Sequence, residues 1–158
     1  MIILGIDPGS VRIGFGAVKK EGGRLTHFKS GLIEIPKSPK RSSGLLFLEK
    51  KIDDLLQEIK PAKVGVEKIF FSKNRRTAIA VAETRGAILL TIAKKCIPFL
   101  EIAPTEVKLA VAGYGRASKK AVIKMVNNVL DLSVSDTTID DVTDALAIAI
   151  AVSNDKHY

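Results

Sequence analysis

The chain has 158 residues, of which 46% are hydrophobic, so it is long enough for one ordinary domain with a sizeable core. Its 25 lysines and arginines against 17 aspartates and glutamates give a net charge of +8, which favours a polyanionic partner, although a basic surface can also serve solubility alone. Every apolar stretch is far shorter than the roughly 18 residues of a membrane span. We therefore expect one cytoplasmic domain over residues 1–158, with 154–158 frayed, and expect the single cysteine, Cys96, to be a small buried hydrophobe.

Hydrophobic periodicity predicts an antiparallel β meander followed by alternating helices and strands. The meander comprises strands at residues 2–7, 11–20 and 24–35. A helix is then predicted at 45–60, where Pro61 ends it, followed by a strand at 62–67, a basic and aromatic loop at 70–76, and an alanine-rich helix at 77–95. A strand at 98–102 and helices at 104–112, 118–130 and 138–153 complete the chain. This order predicts an α/β fold with a mixed five-stranded sheet flanked by helices on both faces.

Four carboxylates stand at the ends of apolar segments. Asp7 follows the first strand, Glu67 follows the strand at 62–67, and Asp141 and Asp144 precede the apolar run 145–151. Helical residues three positions apart project from one face, so the two aspartates could bind one ion together. Because like charges brought together repel unless a cation neutralises them, the pattern predicts a site for a hard divalent cation such as Mg²⁺.

Each of these acids also has an ordinary structural explanation. An aspartate before Pro8-Gly9 is a common turn starter, and Thr138 followed by Asp141 resembles a helix capping box. We leave Asp140 out of the predicted site because it points about 100° away from Asp141 on the helical wheel, although it is also a helical neighbour of Asp144. Residue types alone leave the two explanations open.

Basic residues cluster beside the predicted carboxylate site. Lys68, Lys73, Arg75 and Arg76 surround Phe70 and Phe71, a mixture that could bind phosphates and stack on an unpaired base, unless the rings pack beneath the loop. A second group contains Arg116, Lys119, Lys120 and Lys124. Lys119 lies near a predicted helix start, where it could add positive charge at a bound phosphate, or it could be an ordinary solvated lysine.

Several motifs together resemble those of the RuvC-type Holliday junction resolvases, which are crossover junction endodeoxyribonucleases. They are Gly-Ile-Asp-Pro-Gly-Ser at 5–10, Gly14-Phe15-Gly16, Glu67 with Phe70 and Lys73-Asn74, Thr84-Arg85-Gly86, and Asp-Val-Thr-Asp-Ala-Leu-Ala-Ile-Ala at 141–149. The resemblance implies an RNase H-like fold, a homodimer and Mg²⁺-dependent nicking of two opposed strands at a four-way DNA junction in recombination and repair. A branch-migration helicase complex is a candidate partner.

The same resemblance implies roles for individual residues. The four catalytic acids fall on Asp7, Glu67, Asp141 and Asp144, the two active-site lysines on Lys108 and Lys119, and the base-stacking aromatic on Phe70. Four carboxylates suffice for two Mg²⁺ ions, with Asp7 between them, and Mn²⁺ is a candidate substitute. Predicted DNA contacts are Phe70, Lys73, Arg75, Arg76, Arg116, Lys119 and Lys120.

Two other classes of protein share parts of this pattern. The opening motif and Gly14-Phe15-Gly16 also look like the first phosphate loop of actin-like and sugar-kinase ATPases, but those enzymes close a second domain on the nucleotide, and 158 residues leave no room for it. A non-catalytic junction-binding module could use the basic loops alone. It would gain affinity by losing acids that repel phosphate, so the four carboxylates favour a nuclease.

Overall fold

The computed structural model describes residues 1–38, 40–69, 75–132 and 140–154, the side chains of residues 75 and 76 excepted. Its strands are β1 (Ile2–Asp7), β2 (Arg12–Glu21), β3 (Arg24–Glu34), β4 (Lys63–Glu67) and β5 (Phe99–Ile102). Its helices are α1 (Arg41–Ile59), α2 (Arg75–Lys94), α3 (Pro104–Ala112), α4 (Lys119–Leu130) and α5 (Asp140–Ser153). The predicted elements are confirmed, with ends that differ by up to four residues.

The described strands form one mixed sheet in the order β3-β2-β1-β4-β5. Neighbouring strands are antiparallel in the meander β1-β2-β3, whose hairpin turn uses Gly22 and Gly23 at positive φ angles of 54° and 84°. The pairs β1-β4 and β4-β5 are parallel. The central strand is therefore β1, and the predicted mixed five-stranded sheet is confirmed.

Alternate residues of the strands feed two hydrophobic layers on opposite faces of the sheet. Ile3 and Val18 pack with α3, α4 and α5 on one face, whereas Leu4, Ile6 and Ile13 pack with α1 and α2 on the other. Helix α5 is buried along almost its whole length, as its apolar sequence predicts. Both faces carry helices, in agreement with the expected architecture.

Cys96, which follows the end of α2, is exposed rather than buried as expected. The helix stops at Lys94, and Cys96 takes a left-handed conformation with φ 53° and an exposed side chain. The prediction of a buried cysteine was wrong because Cys96 lies in the turn between α2 and β5 rather than on the packed face of either element. Among the described residues, no helix combines the length and the apolar character that a bilayer crossing requires.

Candidate active site

Two of the predicted acids meet at the carboxyl ends of adjacent parallel strands. Ile6 of β1 lies opposite Val66 of β4, so the next residues, Asp7 and Glu67, emerge at the same edge of the sheet. The backbone of Asp7 is also opposite Gly14 on β2. Strand pairing alone therefore places Asp7 in the centre of this edge, with Glu67 on one side.

Glycines on the sheet let α5 approach closely and bring its acids to the same edge. A Cβ atom added at Gly14 would lie 2.6 Å from the carbonyl carbon of Asp141 and closer still to its oxygen. A Cβ at Gly5 would lie 2.6 Å from the backbone nitrogen of Ala149. Separations this short do not occur for real Cβ atoms, so α5 can rest on β1 and β2 this closely only where side chains are missing.

The two α5 acids are each paired with a cation. Arg12, the first residue of β2, places its guanidinium Nη2 2.9 Å from Oδ2 of Asp141. Lys119 places Nζ 3.2 Å from Oδ2 of Asp144 and equally 3.2 Å from Oδ2 of Asp140. Arg12 was not identified from the sequence. Asp140 was left out of the predicted site because of its direction on the helical wheel, yet it shares Lys119 with Asp144.

Two lysines reach the acids from helices that begin beside them. Ser118 caps α4 by accepting a hydrogen bond from the backbone N–H of Ala121, which makes Lys119 the first helical residue. The side chain of Glu106 accepts from the backbone N–H of Ala103 at the start of α3, the helix that carries Lys108. A cavity of about 180 Å³ is lined by Glu67, Lys108, Lys119, Asp144, Pro104, Val107, Val122 and Ala147.

Burial and mutual repulsion make the acids at this edge difficult to ionise. Burial, followed by the charges of Glu67, Asp144 and Asp141, raises the pKa of Asp7 to about 8, although Lys119 opposes the shift. Burial and then Asp144 raise the pKa of Glu67 to about 7, against the effect of Lys108. Burial also raises the pKa of Asp144, and Lys119 offsets part of the rise. The protein holds these acids together at a cost that a bound cation would remove.

The charged form of Lys119, in contrast, is stabilised by its surroundings. Burial alone would lower its pKa, but the charges and hydrogen bonds of Asp144 and Asp140 outweigh burial and raise it. Lys119 therefore stays charged at neutral pH, beside the carboxylates of Asp140 and Asp144.

The chemistry of the donor set suits a hard divalent cation, since Asp7, Glu67, Asp141 and Asp144 offer only carboxylate oxygens. In the part of the chain that the structure describes, no three His, Cys, Asp or Glu side chains stand close enough to hold an ion together as they are. Two of the four carboxylates are engaged by cations instead, Asp141 by Arg12 and Asp144 by Lys119.

The predicted DNA contacts divide into those that the structure describes and those that it does not. Arg116 and Lys120 are exposed and lie close to Lys119 in the sequence. Phe70 and Lys73 lie outside the described residues, as does Thr138 with its predicted cap. Arg75 and Arg76 open α2, but their side chains are also outside the description.

The sheet order, with acids at the ends of β1 and β4 and on the helix that crosses them, is that of the RNase H-like class. Residues 3–152 match the model of the family "Crossover junction endodeoxyribonuclease RuvC". The RuvC endonuclease of Thermotoga petrophila is 43% identical over 149 residues, which cover 94% of this chain and 90% of that relative. The RuvC endonuclease of Syntrophomonas wolfei is 43% identical over 150 residues, which cover 95% of this chain and 87% of that relative. This chain belongs to the RuvC family of crossover junction endodeoxyribonucleases.

Solved structures agree with the fold and the family. The structure of Thermus thermophilus RuvC in complex with a Holliday junction substrate has a TM-score of 0.88 at 29% identity and covers 97% of this chain and 93% of that one. The yeast mitochondrial Holliday junction resolvase Ydc2 has a TM-score of 0.68 at 15% identity, covering 94% and 77%, and shows the likeness of fold alone. The predicted RNase H-like fold and the resemblance to RuvC are thus confirmed.

Proposed function

We propose that this protein resolves four-way DNA junctions by metal-dependent hydrolysis of one phosphodiester in each of two opposed strands. The observation that carries the proposal is the meeting of Asp7, Glu67, Asp141 and Asp144 at one sheet edge of a RuvC-family chain, with Lys108 and Lys119 in the adjoining cavity. Acids gathered on a chain of net charge +8 would weaken DNA binding, so their use is catalytic.

The four carboxylates are proposed as the ligands of the catalytic ions. Mg²⁺ is the proposed ion, two per site, with Mn²⁺ as a substitute; when bound, it activates a water molecule and neutralises charge on the phosphate oxygens. Asp7 lies between Glu67 and the acids of α5, the position from which its two oxygens can serve both sides of the site. Asp141 and Asp144 become available as ligands when Arg12 and Lys119 release them.

The lysines are proposed to act on the substrate. Once Asp144 has another partner, the ammonium group of Lys119 is free to donate hydrogen bonds to the scissile phosphate and to stabilise the charge that develops there. Lys108 faces Glu67 across the same cavity and adds positive charge on that side. Both groups act in a partly enclosed space, where such interactions are stronger than in open water.

DNA binding is proposed to extend outward from this edge. The exposed Arg116 and Lys120 would contact backbone phosphates together with Lys119, while Phe70 would stack on an unpaired base and Lys73, Arg75 and Arg76 would contact phosphates beside it. We also propose that the chain is one nuclease domain and that its junctions reach it through a branch-migration helicase complex.

A homodimer is proposed because symmetric resolution needs two identical sites related by a two-fold axis. Helix α2 offers a surface for it, since Ile79 is 72% exposed and Leu90 57% exposed on the side that faces away from the core. Ile79→Glu and Leu90→Glu should shift the protein to a monomer in sedimentation, whereas Leu109→Glu, on α3, should not. A wild-type protein that is monomeric at micromolar concentration would contradict the dimer.

The catalytic assignment is tested by separating cleavage from binding. Asp7→Asn and Asp144→Asn should abolish cleavage of a four-way junction yet preserve or tighten its binding, because each removes a carboxyl group that can ionise and repel the phosphates. Asp54→Asn, an exposed acid on α1, is the matched control and should leave both properties unchanged. Loss of junction binding in the two site variants would mean that these residues hold the fold rather than carry the reaction.

A further inference from the structure

Two adjacent residues of α2 contact the backbone just where β1 and β4 end. Thr84 is fully buried, and its hydroxyl lies 2.8 Å from the carbonyl oxygen of Gly9, two residues after Asp7. The guanidinium Nε of Arg85 donates a 3.0 Å hydrogen bond to the carbonyl oxygen of Glu67 itself. The same guanidinium forms an ion pair with Glu101 on β5.

The Thr84 hydroxyl has a choice of acceptors. The carbonyl oxygens of Val81 and Ala80, in its own helix, lie 2.9 Å and 3.2 Å away, and a hydroxyl has only one proton to donate. The bond to Gly9 is the one that reaches out of the helix. Gly9 is itself in a compact turn, because an added Cβ would lie 3.2 Å from the carbonyl carbon of Arg12 and closer still to its oxygen.

The Arg85 guanidinium spans two strands. Its planar fork contacts the end of β4 and the side chain of Glu101 at once, and its side chain is only 17% exposed. A lysine has a single ammonium group and cannot reproduce the fork. Both α2 contacts with the strand ends go to main-chain oxygens, so the carboxylates of Asp7 and Glu67 remain available for other partners.

We propose that Thr84 and Arg85 are positioning residues that fix the backbone from which the Asp7 and Glu67 carboxylates project. The proposal rests on the metal-ligand role given above to these two acids. Neither residue touches the reacting atoms; each acts through one main-chain carbonyl. Their loss lets a strand end shift, and because ligands supported by such contacts lose affinity when the support is removed, metal binding weakens.

The test compares isosteric variants on one helix. Thr84→Val removes the hydroxyl and Thr84→Ser keeps it. Thr91→Val is the matched control, since Thr91 is equally buried on α2 but its described hydrogen bond, of 2.8 Å, goes to Ala87 within the helix. For each full-length variant, Mn²⁺ binding is measured by electron paramagnetic resonance, with thermal unfolding and metal-free junction binding alongside.

Thr84→Val should bind Mn²⁺ about tenfold more weakly than the wild type, with Thr84→Ser and Thr91→Val close to the wild type. Junction binding without metal should be unchanged, and excess metal should restore most of the cleavage rate of Thr84→Val. Equal Mn²⁺ affinity in Thr84→Val and Thr91→Val would overturn the role of Thr84.

A second series tests Arg85. Arg85→Met should weaken Mn²⁺ binding, and Arg85→Lys, which keeps a donor and a charge, should recover part of the loss. Lys94→Ala, which removes a 3.1 Å ion pair with Glu49 at the far end of α2, is the control and should change nothing. Mn²⁺ affinities that are the same in Arg85→Met and Lys94→Ala would overturn the role of Arg85.

The two proposals fail in different ways. A wild-type protein that binds no Mn²⁺ would refute the metal site and, with it, the proposed function. A wild-type protein that binds Mn²⁺ and cleaves junctions, with all α2 variants unchanged, would refute the positioning role alone. If Arg85→Met does not fold, the Thr84 and Thr91 series still decides the proposal.

Discussion

The substitution Gly14→Ala should separate the α5 acids from the rest of the site. An added Cβ would lie 2.6 Å from the carbonyl carbon of Asp141, and ordinary contact begins at 3.4 Å. The carbonyl oxygen lies closer still, so the first turn of α5 must move by more than about 0.8 Å. The obstacle is backbone on both sides, and no rotamer change relieves it. Because Asp141 and Asp144 both lie in this part of α5, the same shift moves two proposed ligands away from Asp7.

The expected cost has two parts. Overpacking against a rigid element destabilises by about 1–3 kcal/mol, and we expect the upper end of that range here. Misplacing catalytic groups by about 1 Å costs on the order of 100-fold in rate. Gly44→Ala is the control, because its Cβ would meet only the Cγ2 atom of the Ile35 side chain, at 2.9 Å, and alanine is favoured over glycine within α1.

Urea unfolding and single-turnover junction cleavage measure the two parts separately. Gly14→Ala should lower both the free energy of unfolding and the cleavage rate of the folded protein, and Gly44→Ala should leave the rate unchanged. Wild-type stability in Gly14→Ala would show that α5 does not rest on β2 as described. A destabilised variant with the wild-type rate would show that this close approach does not position the acids.

Three further predictions concern charge at the site. The folded metal-free protein keeps protons on Asp7 (pKa about 8) and Glu67 (pKa about 7) that the unfolded chain releases near pH 4. Its free energy of unfolding should therefore fall as pH rises from about 4 to 8, by several kcal/mol at most. Asp7→Asn should flatten this pH dependence in urea titrations, and an unchanged pH dependence would contradict the assignment. Arg12→Gln should lower the metal concentration needed for half-maximal cleavage, because Asp141 no longer has a competing cation. The free energy of a partly exposed ion pair corresponds to a change of about two- to fivefold. A higher metal concentration for half-maximal cleavage would contradict this competition. Lys119→Met should slow cleavage at saturating metal by about 100-fold in single-turnover assays. A wild-type rate at saturating metal, with a raised metal requirement, would place Lys119 in metal binding instead.

The sequence was sufficient to predict the sheet and most of the site edge because the signals are local. Strand periodicity and the parallel pairing of β1 with β4 bring Asp7 and Glu67 together without any knowledge of side-chain contacts. Helical spacing likewise puts Asp141 and Asp144 on one face of α5. Helix α1 begins at Arg41 rather than at residue 45. Arg41 donates a 2.8 Å hydrogen bond to the carbonyl oxygen of Ala80 and pairs with Glu83, and neither of these distant partners can be predicted from local sequence.

What the sequence could not predict depends on contacts between distant residues. Arg12 and Asp141 are separated by most of the chain, and an arginine at a strand start carries no signal of its partner. The Thr84-Arg85-Gly86 motif marked a family resemblance, yet its hydrogen bonds to Gly9 and Glu67 appear only in three dimensions. Asp140 was left out of the predicted site because it points away from Asp141 on the helical wheel. In the structure, the long side chain of Lys119 contacts Asp140 and Asp144 together.

The central claim is most directly tested by mapping the cuts that the purified protein makes in a labelled four-way junction and in a matched linear duplex, with and without Mg²⁺. We predict paired, symmetric nicks that require the metal ion and are confined to the junction. Binding without cleavage would contradict the enzymatic account in favour of an architectural role, and equal cleavage of the linear duplex would make the protein a general nuclease.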